Sequence, residues 1–372
     1  MSPSPSTPPS SSPSSSPTVV CVFGSGSFGT ALACVIARSS ASSRSAHNAT
    51  SIQPSMEVRI LTRRPDVAAS INLHHRNPTH MSSFPLPSSV KAFTDPAECL
   101  KNVNFIVHVI PVQSSRAFLQ DLAPLIPADV PIISASKGIC GETLCMMDEI
   151  IPQALGRPDQ PTAFVSGPTF ARELMQDFPS GCVLASVSDD VGKKCSALFR
   201  SARMRVYQHD DVIGVEVGGA LKNVYALAAG IADGMGWGLN TTALLVTLGC
   251  REMGQVASAM GADAATLSGL SGIGDMMLTC FGSESRNRTV GRLLGEGNSL
   301  ADVLDARVGT LAGVAEGVAT APAALRLGKS KGVSTPIVAA VCAILEGENA
   351  HEVLHKLLAY PVHANGDLVV TS

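Results

Sequence analysis

Charged residues are scarce in this sequence. Asp, Glu, Lys and Arg make up 15% of the 372 residues, and the formal net charge is −3. A strongly basic surface, which proteins use to bind nucleic acid or anionic membranes, is therefore not expected. Any anionic ligand must be met by a few local positive charges.

The sequence also lacks an uncharged apolar run that could cross a bilayer, which takes about 20 residues. The best candidate, residues 215–236, is interrupted by Lys222 and Asp233. We therefore expect a soluble protein without a membrane span.

The cysteines do not form a metal-site pattern. Ten are scattered at irregular spacings, with no C-x-x-C pair and no cluster with histidine, so the spacing of a zinc site is missing. The simplest interpretation is free thiols in a reducing compartment such as the cytoplasm. We expect no metal ion.

The first 17 residues contain only Met, Ser, Pro and Thr. Such a segment cannot bury enough apolar surface to offset the entropy of ordering, so we predict a disordered tail. It has neither the apolar core of a secretory signal nor the arginines of a transit peptide. Its serine content still leaves a plastid or glycosome open beside the cytoplasm. A second Ser-rich stretch, residues 39–55, is predicted to be a surface insertion.

A glycine motif follows the tail. Gly24, Gly26 and Gly29 are spaced G-x-G-x-x-G, directly after an apolar run at 19–23 and before an apolar helical pattern at 30–37. In dinucleotide-binding folds the first glycine permits a tight turn, the second lets the backbone approach the pyrophosphate, and the third lets helix and strand pack closely. An unrelated glycine-rich turn is the alternative, but the flanking strand and helix favour dinucleotide binding.

Strand and helix patterns alternate after this motif, with strands at 57–61, 105–110 and 131–135 and helices at 66–72 and 113–122. Alternation of this kind predicts an α/β fold with a doubly wound parallel sheet. Beyond about residue 207 the apolar segments have helical spacing, and 372 residues exceed the ~250 at which single cores stop growing. We predict a Rossmann-type dinucleotide-binding domain over 18–207 and an all-α substrate and catalytic domain over 208–372.

Two arginines follow the predicted strand at 57–61. Arg63 and Arg64 stand where an enzyme strict for NAD usually presents an acidic residue to the ribose. Arginine can stack on adenine or accept a 2′-phosphate, so the choice between NAD and NADP stays open. A solvated basic pair is the alternative.

Two lysines are candidates for chemistry. Lys137 follows the predicted strand at 131–135, at the sheet edge where open α/β folds bind ligands, although a surface lysine in a turn fits as well. Lys222 lies in an Ala/Leu/Val-rich helix, where it must extend to solvent, pair, or accept a lowered pKa. Gly218 and Gly219 weaken that helix one turn earlier, which is reasonable if something approaches the backbone closely.

Three later segments add polar groups. Thr169, between an apolar run and a helix start, can cap the helix or reach a ligand. Asp275, between glycines and an apolar helix start, can be a cap or a lysine's partner. Arg286 provides a guanidinium fork suited to phosphate, and Asn287 an amide suited to a hydroxyl or a cofactor oxygen.

The order of these segments resembles the NAD(P)-dependent glycerol-3-phosphate dehydrogenases of the bacterial and plastid type. The resemblance runs from about Val19 to Leu358 and rests on the glycine motif, Lys137, SGPTFARE, GGALKN, GIGDMMLTC and SRNR, with shorter matches at Asn72-x-x-His75-x-Asn77, Pro111-x-Gln113-x-x-Arg116 and Ala315-Glu316-Gly317. It implies reversible hydride transfer between dihydroxyacetone phosphate with NAD(P)H and sn-glycerol 3-phosphate with NAD(P)+. By analogy it also implies a homodimer.

The resemblance assigns individual residues as well. Lys222 becomes the general acid/base, and Lys137 and Asp275 complete the catalytic set. The implied cofactor set is Gly24, Ser25, Gly26, Ser27, Phe28, Gly29, Arg63, Lys137, Ala171, Arg286 and Glu316. The implied substrate set is Lys137, Gly167, Thr169, Lys222, Asp275, Ser285, Arg286 and Asn287.

The chemistry is consistent with these assignments. As hydride reaches the ketone carbon, negative charge grows on its oxygen, which needs a proton from a group with a tuned pKa. Desolvation lowers the pKa of Lys222 and Asp275 raises it, and the sequence leaves open which effect dominates.

Two positions depart from the family pattern. Thr242 stands where the family usually has Lys or Arg, so one positive charge near the substrate phosphate or the cofactor is missing. This affects expected substrate affinity more than the reaction. His80, Met81 and Ser82 replace Tyr-Leu-Pro, which we interpret as a packing change.

Two other functions remain as alternatives. One is a 6-phosphogluconate or β-hydroxyacid-type dehydrogenase of the same build, against which the GPTFARE and SRNR segments argue. The other is a non-catalytic dinucleotide-binding protein, against which Lys137, Lys222, Asp275 and Arg286 argue together.

Overall fold

The computed structural model describes residues 17–45, 56–305 and 315–359. Eight strands in this part of the chain form one sheet, in the order β3-β2-β1-β4-β5-β6-β7-β8. They are β1 (Thr18–Phe23), β2 (Met56–Leu61), β3 (Val90–Phe93), β4 (Phe105–His108), β5 (Ile132–Ser134), β6 (Thr162–Ser166), β7 (Ser180–Ala185) and β8 (Met204–His209). The doubly wound α/β prediction is confirmed.

Helices connect these strands, and together they form what we call the sheet half of the chain, from β1 to β8. The helices are α1 (Ser27–Ser45), α2 (Pro65–His74), α3 (Pro96–Leu100), α4 (Val112–Leu122), α5 (Met147–Leu155), α6 (Ala171–Met175) and α7 (Asp189–Phe199). The run from Val19 to Phe23 is buried along its whole length, as expected of a strand covered by helices on both faces. Sequence patterns missed β3, which has only four residues, and extended β4 to residue 110, whereas it ends at His108.

The predicted surface insertion at 39–55 begins too early. Helix α1 continues to Ser45, and the side chain of Ser39 is buried and donates to the carbonyl oxygen of Leu198 at 2.7 Å. Residues 46–55, like the tail predicted over 1–17 except for Pro17, lie outside the described residues.

The sheet is not parallel throughout. Strands β1 to β6 run parallel to one another, but β7 pairs with β6 in the antiparallel sense, and β8 runs parallel to β7. Between β6 and β7 the only helix is α6. Its five residues span about 7.5 Å, whereas β6 extends about 16 Å. Helix α6 is therefore too short to carry the chain back to the opposite edge of the sheet, as a parallel strand requires. Strand β7 enters the sheet at the near edge and runs in the direction opposite to β6.

The described chain beyond β8 is helical. Its α-helices are α8 (Val212–Gly234), α9 (Leu239–Ala259), α10 (Asp275–Phe281), α11 (Arg286–Gly295), α12 (Leu300–Leu304), α13 (Glu316–Ser330), α14 (Pro336–Leu345) and α15 (Ala350–Ala359). A 3-10 turn (Ala264–Ser268) and a π-helical turn (Leu270–Gly274) join α9 to α10. The predicted domain boundary after residue 207 falls near the end of β8, at His209.

Helix α8 is the centre of the helical half. Nearly all of its residues are buried, and α9, α10, α11 and α13 pack around it. By length and composition it is the one described helix that could cross a membrane, but 89% of its most apolar window is buried inside the protein. Its apolar character is explained by this central position.

Candidate functional site

The glycine turn after β1 has the geometry that the motif predicts. Gly24 has φ +110°, which L side chains rarely adopt. A Cβ at Gly29 would lie 2.2 Å from the carbonyl oxygen of Gly24, so helix α1 and the turn are packed as closely as glycine allows. A Cβ at Gly26 would meet no protein atom within 4 Å. The turn is therefore tight on its protein side and open at Gly26.

Neighbouring loops brace the remaining residues of the turn. Ser25 has its hydroxyl 2.8 Å from Thr62 Oγ1, and its carbonyl oxygen accepts from Asn77 Nδ2 at 2.8 Å. Asn77 also donates to Thr30 Oγ1 at 2.9 Å. Phe28 packs against the core on one face of the sheet.

His80 corrects part of our packing interpretation. The Asn77 carboxamide oxygen accepts from the backbone N–H of His80 at 3.0 Å, which holds the loop over the start of α1. There the exposed His80 ring has Nδ1 3.4 Å from Ser27 Oγ. Met81 packs against the core, as expected. His80 instead lies beside Ser27, at the start of α1.

The two arginines after β2, Arg63 and Arg64, differ in their ion pairing. Arg64 is paired with Asp66, whose Oδ2 lies 2.5 Å from its Nη2. Arg63 is exposed and makes no ion pair with the residues that the structure describes. Arg63, unlike Arg64, has no ion pair among the described residues that a ligand at this strand end would have to break.

Lys137, Lys222 and Asp275 meet at the carboxyl edge of the sheet. Asp275 accepts from Lys222 Nζ at 2.6 Å through Oδ1 and from Lys137 Nζ at 2.5 Å through Oδ2. Lys222 also donates to Thr279 Oγ1 at 2.9 Å. The Asp275 side chain is 1% exposed and each lysine side chain 11%. One buried carboxylate thus holds two ammonium groups from different halves of the chain.

Close helix packing allows this meeting. A Cβ at Gly218 would lie 2.5 Å from the carbonyl oxygen of Ser271, just before Asp275. A Cβ at Gly219 would lie 2.8 Å from Ser166 Oγ and 3.5 Å from Lys137 Cδ. The two glycines before Lys222 let α8 approach both partners.

The charges perturb one another. Burial lowers the pKa of Lys222 to about 8, with the Lys137 charge adding to this effect and Asp275 opposing it. For Asp275, burial by itself raises the pKa, but the two lysines outweigh it and the net pKa is below its usual range. Desolvation therefore dominates at the lysine, and the carboxylate stays ionised.

A second polar network adjoins the lysines. Asn287 donates to Asn223 Oδ1 at 2.9 Å and accepts from the backbone N–H of Gly317 at 2.9 Å. Asn223 in turn donates to Glu316 Oε2 at 3.4 Å. Burial raises the pKa of Glu316, while the charges of Arg286 and Lys222 act against this rise.

The charge of Arg286 acts both on this network, at Glu316, and on the loop beside the glycine turn, at His80. Ser285 caps α11 by accepting from the Arg288 N–H at 3.2 Å, which leaves exposed Arg286 at the first position of the helix. Its charge also reaches His80, whose pKa is lowered by burial first and then by Arg286 and Arg64.

The β6–α6 loop forms one wall of this region. Gly167 has φ +145°, and a Cβ there would lie 2.9 Å from Cys182 Cα. Thr169 donates to the carbonyl oxygen of Gly167 at 3.1 Å, so it closes the loop and does not cap α6. Ala171 begins α6 and packs against the sheet core.

Family models match both halves of the chain. The N-terminal model of NAD-dependent glycerol-3-phosphate dehydrogenase matches residues 19–191, and the C-terminal model matches residues 211–356. The chain belongs to the NAD-dependent glycerol-3-phosphate dehydrogenase family.

Individual members of the family are similar along most of their length. A chloroplastic NAD+ glycerol-3-phosphate dehydrogenase of Arabidopsis thaliana is 43% identical over 329 residues, covering 88% of this chain and 74% of the relative. An NAD(P)+ enzyme of Leptospira biflexa is 39% identical over 347 residues, covering 93% and 98%. The crystal structure of glycerol-3-phosphate dehydrogenase from Coxiella burnetii superposes with a TM-score of 0.83 at 31% identity, covering 92% and 99%.

Thr242, which departs from the glycerol-3-phosphate dehydrogenase pattern, is 5% exposed near the start of α9. It brings no positive charge to this region.

Thr279 and Asn223 were not singled out from the sequence. Thr279 follows Asp275 by one helical turn, and Asn223 follows Lys222 directly. Helical spacing from Asp275 could have suggested the first. The second had no signal beyond its neighbour. In the part of the chain described, no group of His, Cys, Asp and Glu is arranged to hold a metal ion.

Proposed function

We propose that the chain catalyses reversible, NAD(P)-dependent interconversion of dihydroxyacetone phosphate and sn-glycerol 3-phosphate. The observation that carries this proposal is the buried Lys222–Asp275–Lys137 cluster at the same sheet edge as the glycine turn. Membership of the glycerol-3-phosphate dehydrogenase family supports the substrate.

The glycine turn fits a dinucleotide. The space beside Gly26 lets a pyrophosphate reach the backbone, and the first N–H groups of α1, from Ser27 on, are placed to donate to it. Gly24, Ser25, Phe28 and Gly29 shape this turn, and Arg63 is available to the adenosine end. When bound, the nicotinamide supplies or accepts the hydride.

Lys222 is the proposed general acid and base. In ketone reduction its ammonium donates a proton to the oxygen on which negative charge develops, and in the reverse direction the neutral amine accepts it. A pKa of about 8 places both protonation states within reach near neutral pH. Asp275 holds the ammonium in position, and Lys137 adds a second positive charge that stabilises the developing oxyanion.

The start of α11 is proposed to bind the substrate phosphate. Arg286 offers a guanidinium fork, and the helix N-terminus adds backbone N–H groups. Asn287 and Ser285 frame the same helix end. Because Arg286 also influences Glu316 and His80, we assign it to substrate and cofactor together.

Other residues complete the enclosure. We assign Gly167 and Thr169, which are joined by a hydrogen bond, to the substrate, and Ala171 and Glu316 to the cofactor. Glu316 is held by Asn223, the residue after Lys222. We divide the chain into a cofactor domain over 18–207 and a substrate domain over 208–372.

Oxidation of NADH and NADPH by the purified protein with dihydroxyacetone phosphate tests the proposal. We expect turnover, with the ratio of the two cofactors reporting what Arg63 selects. Turnover of hydroxyacids or 6-phosphogluconate without turnover of dihydroxyacetone phosphate would reject it. Cofactor binding without turnover of any of these substrates would indicate a non-catalytic dinucleotide-binding protein.

We further propose a cytoplasmic homodimer. Apolar side chains exposed on α9 and α10, including Leu244 (46%), Met277 (51%) and Phe281 (40%), support association. Light scattering should give twice the chain mass, and Met277→Glu should lower it. A fluorescent fusion with and without residues 1–17 separates cytoplasmic from organelle location.

A further inference from the structure

Helix α5 lacks a cap of its own. Met146 occupies its N-cap position and makes no side-chain cap hydrogen bond. The free N–H groups of the first turn are instead bound by Glu216 of α8. Its Oε1 accepts from the Met147 N–H at 3.0 Å and its Oε2 from the Asp148 N–H at 3.1 Å. A carboxylate from the helical half thus fulfils the capping requirement of a helix in the sheet half.

The loop that carries Lys137, residues 135–146, leads directly into this capped helix. The start of this Lys137 loop is bound within the sheet half, where Ala135 N–H donates to the His108 carbonyl at 2.9 Å. Its middle is bound by Gln113, which donates to the Ile139 carbonyl at 2.8 Å. At its end, Glu216 ties the chain to α8. The helical half also reaches the loop through Arg326, which donates to the Gly141 carbonyl.

Glu216 and Lys222 lie on one helix. They are separated by about 9 Å along its axis, with Gly219 between them. At Gly219 the helix passes close to the Lys137 side chain, and beyond it Lys222 shares Asp275 with Lys137. Helix α8 therefore touches the Lys137 loop at its end, beside its lysine stem, and through the shared carboxylate.

We infer that Glu216 is a positioning residue that fixes the Lys137 loop to α8 and so sets the place of the Lys137 ammonium beside Asp275 and Lys222. The inference rests on the proposed function for its catalytic consequence. It predicts that loosening the cap moves the Lys137 charge away from Lys222.

The charges in this region define the readout. Lys222 is influenced by Asp275, Lys137 and Glu316, and the Lys137 charge depresses its pKa. Near Glu216 the neighbouring charge is Asp148, which together with burial raises the pKa of Glu216. Because the Lys137 charge depresses the pKa of Lys222, withdrawal of Lys137 raises the pH at which Lys222 loses its proton.

The experiment compares Glu216→Gln and Glu216→Ala with Glu252→Gln. Glu252 is a matched control, because its carboxylate caps α14 from α9 by accepting from Ile337 N–H at 2.9 Å and Val338 N–H at 3.1 Å. Two quantities are measured: amide hydrogen exchange over residues 137–148, and the pH dependence of kcat/KM for dihydroxyacetone phosphate.

We expect the Glu216 variants to exchange faster over 137–148 and to show an alkaline limit of kcat/KM at higher pH. Glu252→Gln should speed exchange only around residues 337 and 338 and keep the wild-type pH profile. An unchanged profile in Glu216→Ala, or an equal shift in Glu252→Gln, would overturn the positioning inference. Absence of turnover in the wild-type protein would contradict the proposed function. Unchanged hydrogen exchange over 137–148 in Glu216→Ala would show that Glu216 does not fix the Lys137 loop to α8, and this result does not depend on activity.

Discussion

In the sheet half, the candidate anion site consists of backbone: a glycine turn, the first N–H groups of α1, and open space beside Gly26. In the helical half, the candidate site consists of side chains: Lys222 and Asp275, both buried and 2.6 Å apart. By contrast, ion pairs such as Arg64–Asp66 near the glycine turn are exposed. Backbone donors hold an anion without taking up or releasing protons, whereas a buried lysine can do so near neutral pH.

This difference separates two kinds of sensitivity. Volume added at the glycine turn should damage cofactor binding without changing any pH dependence. Removal of the charge of Lys222 should damage the reaction and its pH dependence without changing cofactor binding. The comparison fails if added volume at the glycine turn changes the pH dependence, or if loss of the Lys222 charge changes cofactor binding.

The largest effect is expected for Lys222→Met. Loss of the proton donor should lower kcat by on the order of 10² or more, the usual contribution of acid/base catalysis. NADH affinity, measured by fluorescence, should stay near the wild-type value. Lys193→Met is the control, because Lys193 pairs with Asp189 on the surface of α7. Near-normal kcat in Lys222→Met would reject the assignment.

A tenfold or larger rise in KM is expected for Arg286→Ala. Hydrogen bonds to charged groups contribute about 1.5–3 kcal/mol, which corresponds to roughly 10–150-fold in affinity. The control is Arg292→Ala on the same helix, where the guanidinium pairs with Glu296. Steady-state kinetics with dihydroxyacetone phosphate distinguish the two. An unaltered KM in Arg286→Ala contradicts the phosphate assignment.

Two alanine substitutions sharpen the contrast within the glycine turn. Gly29→Ala places a Cβ against the Gly24 carbonyl oxygen, and such overpacking should destabilise the fold by about 1–3 kcal/mol. Gly26→Ala meets no protein atom, so its Tm should be unchanged while NADH binds about tenfold more weakly, or ~1.4 kcal/mol. Normal NADH affinity in Gly26→Ala would show that this space is not used by the cofactor.

The pH dependence should follow Lys222 with opposite signs in the two directions. Ketone reduction needs the ammonium, so its kcat/KM should fall as pH rises through about 8. Oxidation of glycerol 3-phosphate needs the neutral amine, so its kcat/KM should rise over the same interval. Asp275 stays ionised throughout, because its pKa is lowered. Profiles that change in parallel would exclude a shared acid/base group.

Sequence patterns predicted the parts of the site that are local. The spacing of Gly24, Gly26 and Gly29 carries its own geometry, and an isolated Lys222 in an apolar helix demands a partner. The strand direction at β7 was not predictable in this way, because it depends on how far α6 carries the chain. The outcome at Lys222 was not predictable either, since burial and two neighbouring charges contribute opposing effects whose balance requires coordinates.

The same reasoning explains why Glu216 and Glu252 were missed. Each lies in an apolar helix and caps a different helix, so no local motif marks it. A capping box places the cap and its helix within a few residues, whereas these pairs are joined only by the fold.

The effect that leaves catalysis unchanged concerns stability in the helical half. Burial raises the pKa of Glu252 to about 7, above its value in an unfolded chain, so the folded state holds the proton more tightly. The stabilisation that this creates is complete below about pH 4.5 and is lost as pH rises through about 7, and it amounts to a few kcal/mol at most. Glu252→Gln carries no titrating proton, so the difference in unfolding free energy between wild type and variant should change across this window. Chemical denaturation at several pH values measures that difference, and a constant difference would mean that Glu252 titrates normally. Within the described part of the chain, the hydrogen bonds of Glu252 go to Ile337, Val338 and Tyr225 and not to Lys137, Lys222 or Asp275. The ratio of kcat/KM between variant and wild type should therefore stay constant over the same window, which keeps this stability effect separate from catalysis.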